Sequence, residues 1–249
     1  MNIGIDISAK ISSYKGKELK KIYDRYIKFE PLYFTNKYKT EKWNKLKYLK
    51  YLNKNDGKIL ITTTNYQTRE TLSSGGAMLN SFQSITIIQN KNHLLFANND
   101  ILDIINPEFI ISCYLYNEDY VSQQSAYNSS CYQVDGLDIS LAKELSYTID
   151  ETGVKTYDIS KNYGKADITR KTWLIAAWKM WLGKPFYELV SKERLLTFPH
   201  AVEIKELENE IIYIQLFEKV EESATPENRE KQRLFREWCD FDGLVKKHS

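Results

Sequence analysis

Glu203-Ile204-Lys205 is the stretch whose residue types come nearest to a reaction. Residues two apart on a strand share one face. With a carboxylate from upstream, a Glu and a Lys so placed can hold a divalent metal and position water for phosphodiester cleavage. Asp167 is the upstream candidate. Two charges alternating on an edge strand are nonetheless far commoner than a nuclease site. Nothing else in the chain makes a stronger claim. His93, His200 and His248 are scattered, and no His-x-x-x-His or Cys-x-x-Cys pairs ligands for a metal. The three cysteines, Cys113, Cys131 and Cys239, fit neither a zinc site nor a disulfide framework. Cys113 lies in an apolar run and reads as a small core residue. Ser73-Ser74-Gly75-Gly76 lacks the Gly-Lys-Ser/Thr ending of a phosphate loop and predicts a plain loop. No Gly-x-Ser-x-Gly elbow supports a serine nucleophile. A protein without catalysis, metal or cofactor is the expectation.

The charge layout says more than the chemistry. The chain of 249 residues carries a net charge of +2, yet residues 1–60 hold fifteen Lys and Arg against six Asp and Glu. Residues 96–160 hold two against eleven. Blocks of one sign bear on partners rather than on fold. The Lys-rich block is interleaved with Tyr23, Tyr26, Tyr38, Tyr48 and Tyr51, a composition that single-stranded nucleic acid can use. The near-neutral whole makes a nucleic-acid partner the lesser expectation. The acidic block carries Tyr114, Tyr116, Tyr120, Tyr127 and Tyr132, residue types that anchor interfaces. Its stretch Asn117–Gly136 is polar and lacks apolar periodicity, which predicts a long loop, and long loops in compact domains usually carry function. Glu118, Asp119, Tyr120, Tyr127, Asp135 and Asp138 are therefore the expected partner contacts. The start of the chain lacks a basic segment followed by a long apolar one, and no apolar run reaches the ~18 residues that span a bilayer. A cytoplasmic protein is expected.

The elements that must position these residues follow from periodicity. Asn2–Ile7 alternates and predicts a strand. Leu19, Ile22, Tyr23 and Tyr26 mark a helix ended by Pro31, and Trp43, Leu46 and Leu49 a second. Asn53–Gly57 predicts a turn, and Ile59–Thr64 a strand. Ser84–Gln89 and His93–Ala97 predict a hairpin, Asn99–Ile105 a helix, and Phe109–Tyr116 a buried strand. Thr148–Asp158 predicts a hairpin about Gly153. Trp173–Trp181 is apolar nearly all round and predicts a buried helix stopped by Gly183 and Pro185. Val202–Ile204 and Ile212–Leu216 predict a hairpin. Thr225 and Pro226 open a last helix whose buried face is Leu234, Phe235, Trp238 and Phe241. The order shows no βαβ alternation. It predicts one α+β domain over residues 1–249, a mixed or antiparallel sheet with hairpins flanked by several helices, with a junction between two lobes near 140–165.

The order of features in the second half resembles bacterial polymorphic-toxin immunity proteins, in particular immunity family fifty-two. The likeness rests on Asn106-Pro107-Glu108-Phe109-Ile110-Ile111, on Thr172-Trp173-Leu174, on Asn209-Glu210-Ile211-Ile212, and on Thr225-Pro226-Glu227-Asn228 before a terminal helix. It covers about residues 80–245. Thr172 departs from the family, which more often has Gly before the Trp. The resemblance implies a non-enzymatic protein that neutralises a cognate toxin by binding it, and many such toxins are nucleases. A nuclease presents a basic surface to phosphates, which an acidic inhibitor can meet.

Overall fold

The computed structural model describes residues 1–10, 16–36, 39–54, 61–76, 82–93, 106–134 and 136–248. Its strands are β1 (Asn2–Lys10), β2 (Tyr33–Asn36), β3 (Lys39–Lys42), β4 (Ile61–Asn65), β5 (Glu70–Gly76), β6 (Phe82–Asn90), β7 (Ile110–Asn117), β8 (Tyr147–Ile149), β9 (Lys155–Tyr157), β10 (Asp167–Ile168), β11 (Trp173–Leu174), β12 (Lys179–Leu182), β13 (Glu203–Leu207) and β14 (Ile211–Gln215). The helices are α1 (Gly16–Tyr26), α2 (Lys45–Lys54), α3 (Glu118–Ser125), α4 (Ser129–Val134), α5 (Lys192–Leu196), α6 (Pro226–Trp238) and α7 (Phe241–His248). Ten strands form one antiparallel sheet in the order β13-β14-β12-β7-β1-β6-β5-β4-β2-β3. The pairs β8-β9 and β10-β11 stand apart from it. The α+β architecture expected from the sequence is the one found.

Both faces of the sheet are covered, and period-two alternation decides which side chain serves which side. Ile3, Ile5 and Ile7 of β1, Cys113 and Leu115 of β7, Trp181 of β12 and Tyr213 of β14 join one core with Leu19, Ile22 and Tyr48 of α1 and α2. Tyr114 and Tyr116 of β7, Met180 and Leu182 of β12, and Ile212 and Ile214 of β14 face the other core, closed by Phe235 of α6 and Phe241 of α7. The central strands are thus buried on both sides, and β7 reads as a near-continuous apolar run for that reason.

Several expectations change. Trp173–Trp181 is not a helix: it supplies β11, a link in which Ile175, Ala176 and Ala177 are buried, and the first residues of β12. An apolar run of this length fits a doubly buried strand as well as a helix, and the free edges of β7 and β14 decide the matter. Asn117–Gly136 is not a loop but holds α3 and α4. Ser73–Gly76 belongs to β5. The second helix buries Tyr48 and Leu52, while Leu46 is 82% exposed. His93 ends a 3-10 turn. Residues 94–97 of the strand expected there, the helix expected at Asn99–Ile105 and most of the turn Asn53–Gly57 lie outside the described residues. Among the described residues no helix is long and apolar enough to cross a membrane.

Candidate functional site

The acidic segment begins as a helix because Asn117 caps it. Its side-chain oxygen accepts from the Tyr120 N–H at 3.2 Å, and Glu118 and Asp119 occupy the first turn, where the helix dipole favours anions. Both carboxylates are tied to their own protein. Asp119 accepts from the Asn2 N–H at 3.2 Å and from Arg69 at 3.1 Å. Glu118 accepts from Ser122 Oγ at 2.5 Å. Tyr120 is buried, and its hydroxyl donates to Gln232 Oε1 of α6 at 2.9 Å. The Gly164 backbone lies so close to this ring that a Cβ would stand 2.3 Å from Cε1. Tyr120 therefore clamps α3, the 162–166 connector and α6 together, and is not available as an interface anchor. Tyr114, Tyr116 and Tyr132 are core residues too. Asp135 lies outside the described residues.

Tyr127 and Asp138 differ. Tyr127 is 50% exposed, and Asp138 is exposed at the start of a 3-10 turn, Ile139–Ala142. They belong to a small lobe, residues 126–158, built on Ala126, Tyr132, Ala142 and Tyr157. Tyr127, Ile139, Tyr147, Ile149 and Val154 are all exposed, so the lobe holds five of the ten exposed large hydrophobics among the described residues. That concentration in about an eighth of the chain is more than the scattered exposure a surface normally shows. Asp138, Glu144, Asp150, Glu151 and Asp158 are exposed on the same lobe. Three of them are held ionised by local donors. Hydrogen bonds from Ser140 keep Asp138 below the usual carboxylate range, those from Thr152 and the Val154 N–H do so for Asp150, and those from Ser160 for Asp158. The lobe is thus both apolar and durably negative.

A cavity of about 290 Å³ lies between the sheet and α3, lined by Asp6, Thr86, Tyr116, Glu118, Val121 and Trp173 among others. The Asp6 carboxylate on β1 accepts from the Thr86 and Tyr116 hydroxyls. Burial pushes its pKa above the ordinary value in spite of these two donors. Glu118, Tyr116 and Cys131 are the other titratable groups lining the cavity. A carboxyl raised in this way takes up a proton on folding. Its contribution is fully present below the unfolded pKa of about 3.9 and is lost as pH rises through the folded value. Asp6→Asn is therefore expected to gain in thermal midpoint over the parent as pH rises from about 4 to 8, with the two converging at the acid end. A difference constant across that range would rule out a protonation origin.

The chemical candidates have partners of their own. Asp167 meets Arg236 at 2.5 Å and Lys165 at 3.7 Å. Glu203 pairs with Lys205 at 2.5 Å on β13, the outermost strand of the sheet. Among the described residues no three His, Cys, Asp or Glu side chains are grouped to hold a metal ion. His200 packs its ring on Phe198, and the His248 carbonyl accepts from the Arg170 N–H at 2.8 Å. Burial raises the Cys113 thiol and pushes Cys239 up to about 12, which removes the thiolate a nucleophile needs. In the basic N-terminal block, Tyr23 and Tyr48 pack inward on Trp43, so they do not offer the stacking faces that nucleic acid would use. Lys20 pairs with Asp24 at 2.8 Å rather than with the acidic segment. A sequence signal for α3 was present in Asn117 followed by Glu118 and Asp119, the pattern of a capped acidic first turn. Comparison with protein-family models and with curated proteins finds no match to this chain.

Proposed function

We propose that this chain is an immunity-type protein that binds a basic toxin protein through the 126–158 lobe and neutralises it without catalysis of its own. The observation that carries this reading is the coincidence on one lobe of exposed Tyr127, Ile139, Tyr147, Ile149 and Val154 with five exposed carboxylates. An apolar patch rimmed by charge is how a protein-binding surface is built. The carboxylates give a basic partner a field to approach along, and the apolar groups hold it once docked. The order of features that resembles immunity family fifty-two, and the internal engagement of Asp167, Glu203 and Lys205, are consistent with it.

Co-expression with the product of the neighbouring gene is the direct test. A product that is toxic alone and harmless with this chain supports the reading, and one that is harmless alone and does not bind ends it. The charge component has its own test. Asp138→Asn, Asp150→Asn and Asp158→Asn keep the oxygen acceptors of the local turns, and with Glu144→Gln and Glu151→Gln they remove the lobe's negative charge, leaving Asp135 against Lys143 and Lys155. This variant is expected to associate about tenfold or more slowly at low ionic strength and to lose most of its salt dependence. Association at the parent rate with the parent salt slope would show that the carboxylates do not steer the partner.

A further inference from the structure

Among the described residues, the hairpin of the acidic lobe has one edge in use and one without a strand partner. Asp158 donates its N–H to the Ser146 carbonyl at 2.8 Å, and Asp150 donates to Val154 at 3.1 Å. With the register Tyr147↔Tyr157, Thr148↔Thr156, Ile149↔Lys155, these bonds make Thr148/Thr156 a hydrogen-bonded pair. Tyr147/Tyr157 and Ile149/Lys155 are the non-bonded pairs, whose backbone groups point away from the ladder. On β9 this is visible directly, because the Tyr157 N–H donates outward to the Tyr127 carbonyl at 2.7 Å. On β8 the N–H and C=O of Tyr147 and Ile149 point off the opposite edge. Among the described residues no strand pairs there. Tyr147 and Ile149 also share one face, with 52% and 62% of their surface exposed.

Resting on the reading of this lobe as a protein-binding surface, we infer that β8 is a docking edge which takes an extended segment of the basic partner as an added antiparallel strand. The backbone of Tyr147 and Ile149 supplies the hydrogen bonds, and their side chains supply the apolar contact. The occupant is defined by charge. Asp150 and Glu151 adjoin the edge, so an incoming strand that alternates apolar residues with Lys or Arg is favoured. A second copy of this chain would bring another acidic lobe against this one, so like net charge works against self-pairing through the edge. The Tyr147 ring accepts a cation already: Lys155 Nζ lies 3.5 Å from its centroid.

The backbone pattern provides a sharp test. Ile149→Pro removes an N–H that faces outward and leaves the Thr148 ladder to β9 intact. Ile149→Lys places a guarding charge on the same edge at an exposed position. The probe is an acetylated, amidated Lys-Val-Lys-Val-Lys-Val peptide added to the isotope-labelled full chain. Saturable shifts and slowed amide exchange at Tyr147 and Ile149 are expected, with at least tenfold weaker binding to both variants and unchanged binding to Ile149→Val. Equal binding to the parent and both variants overturns the inference, as do shifts confined to other surfaces or self-association through this edge. The two proposals fail separately. If the neighbouring gene's product binds the parent, Ile149→Pro and Ile149→Lys alike, the docking edge is wrong and the neutralisation reading stands. If the peptide docks on β8 while that product does not bind at all, the neutralisation reading is wrong and the edge stands.

Discussion

Arg236→Ala is expected to cost about 3–5 kcal/mol of folding stability, the penalty for breaking a buried ion pair by removing one partner. The Arg236 side chain is only 4% exposed. Its Nη2 donates to Asp167 at 2.5 Å and to Asp242 at 2.9 Å, and its Nη1 donates to the Lys165 carbonyl at 3.3 Å. The guanidinium also lies 5.5 Å from the Phe241 ring centroid. One side chain of α6 thereby fixes β10, the chain before it and the start of α7. Truncation would leave Asp167, 17% exposed, with Lys165 at 3.7 Å as its nearest cation. Arg236→Lys should recover little, because a single ammonium cannot meet three acceptors spread around a planar fork. Denaturant titration measures this directly. A loss below about 1 kcal/mol, the range of surface pairs, would show that solvent already screens the cluster.

Gly183→Ala is expected to cost about 3 kcal/mol, the upper end for forcing volume into a packed site. Gly183 has φ −87°, a conformation that alanine adopts freely, so the penalty is not conformational. It is steric: a Cβ would stand 2.1 Å from the Ile110 carbonyl oxygen. That oxygen is backbone and cannot rotate away. The Gly183 N–H meanwhile donates to Ile111 at 3.0 Å, so strand separation would also weaken a hydrogen bond at the β7–β12 junction. The thermal midpoint of the Ala variant is the measurement. A midpoint within a degree of the parent would mean that β12 can retreat at no cost and that the close approach is incidental.

These two sites show how the sequence misleads where residue type has more than one use. Gly183 followed by Pro185 reads as the end of a helix, and the apolar block before it reads as that helix. Both marks are equally natural for a strand buried on both faces that must pass close to its neighbour. Only the partners β7 and β14, distant in sequence, resolve the choice. Elements whose signals are local and redundant were legible: the Thr225 cap with Pro226 behind it, the hairpin about Gly153, and the alternation of Ile212, Ile214 and Leu216. The candidate site is legible only in part. Negative charge in the middle of the chain points to the lobe proposed as the partner surface, because charge survives any folding. Tyr120 in its polar context reads as exposed, whereas the structure buries it with its hydroxyl on Gln232, 112 residues away. Glu118 and Asp119 read as loop charges unless Asn117 is taken as the cap that opens a helix there. The apolar half of the lobe surface is not legible in the sequence, since Tyr147, Ile149 and Val154 look like ordinary hairpin residues until their exposure in the fold is known.

The place of β1 between β6 and β7 has a consequence during synthesis. Its side-chain bonds reach 80 residues ahead to Thr86 and 110 to Tyr116. At the usual ~5–20 residues per second, Thr86 follows Asp6 out of the ribosome after roughly 4–16 s. For that interval a strand rich in isoleucine has neither of the neighbours that later hide its two edges. Ile3-Gly4-Ile5-Asp6-Ile7 would be a six-residue-scale sticky segment were it uncharged. Asp6 is ionised while the nascent strand is in water, and so interrupts it as a gatekeeper. The same carboxylate that burial disfavours in the finished protein keeps the unfinished one from pairing with other chains.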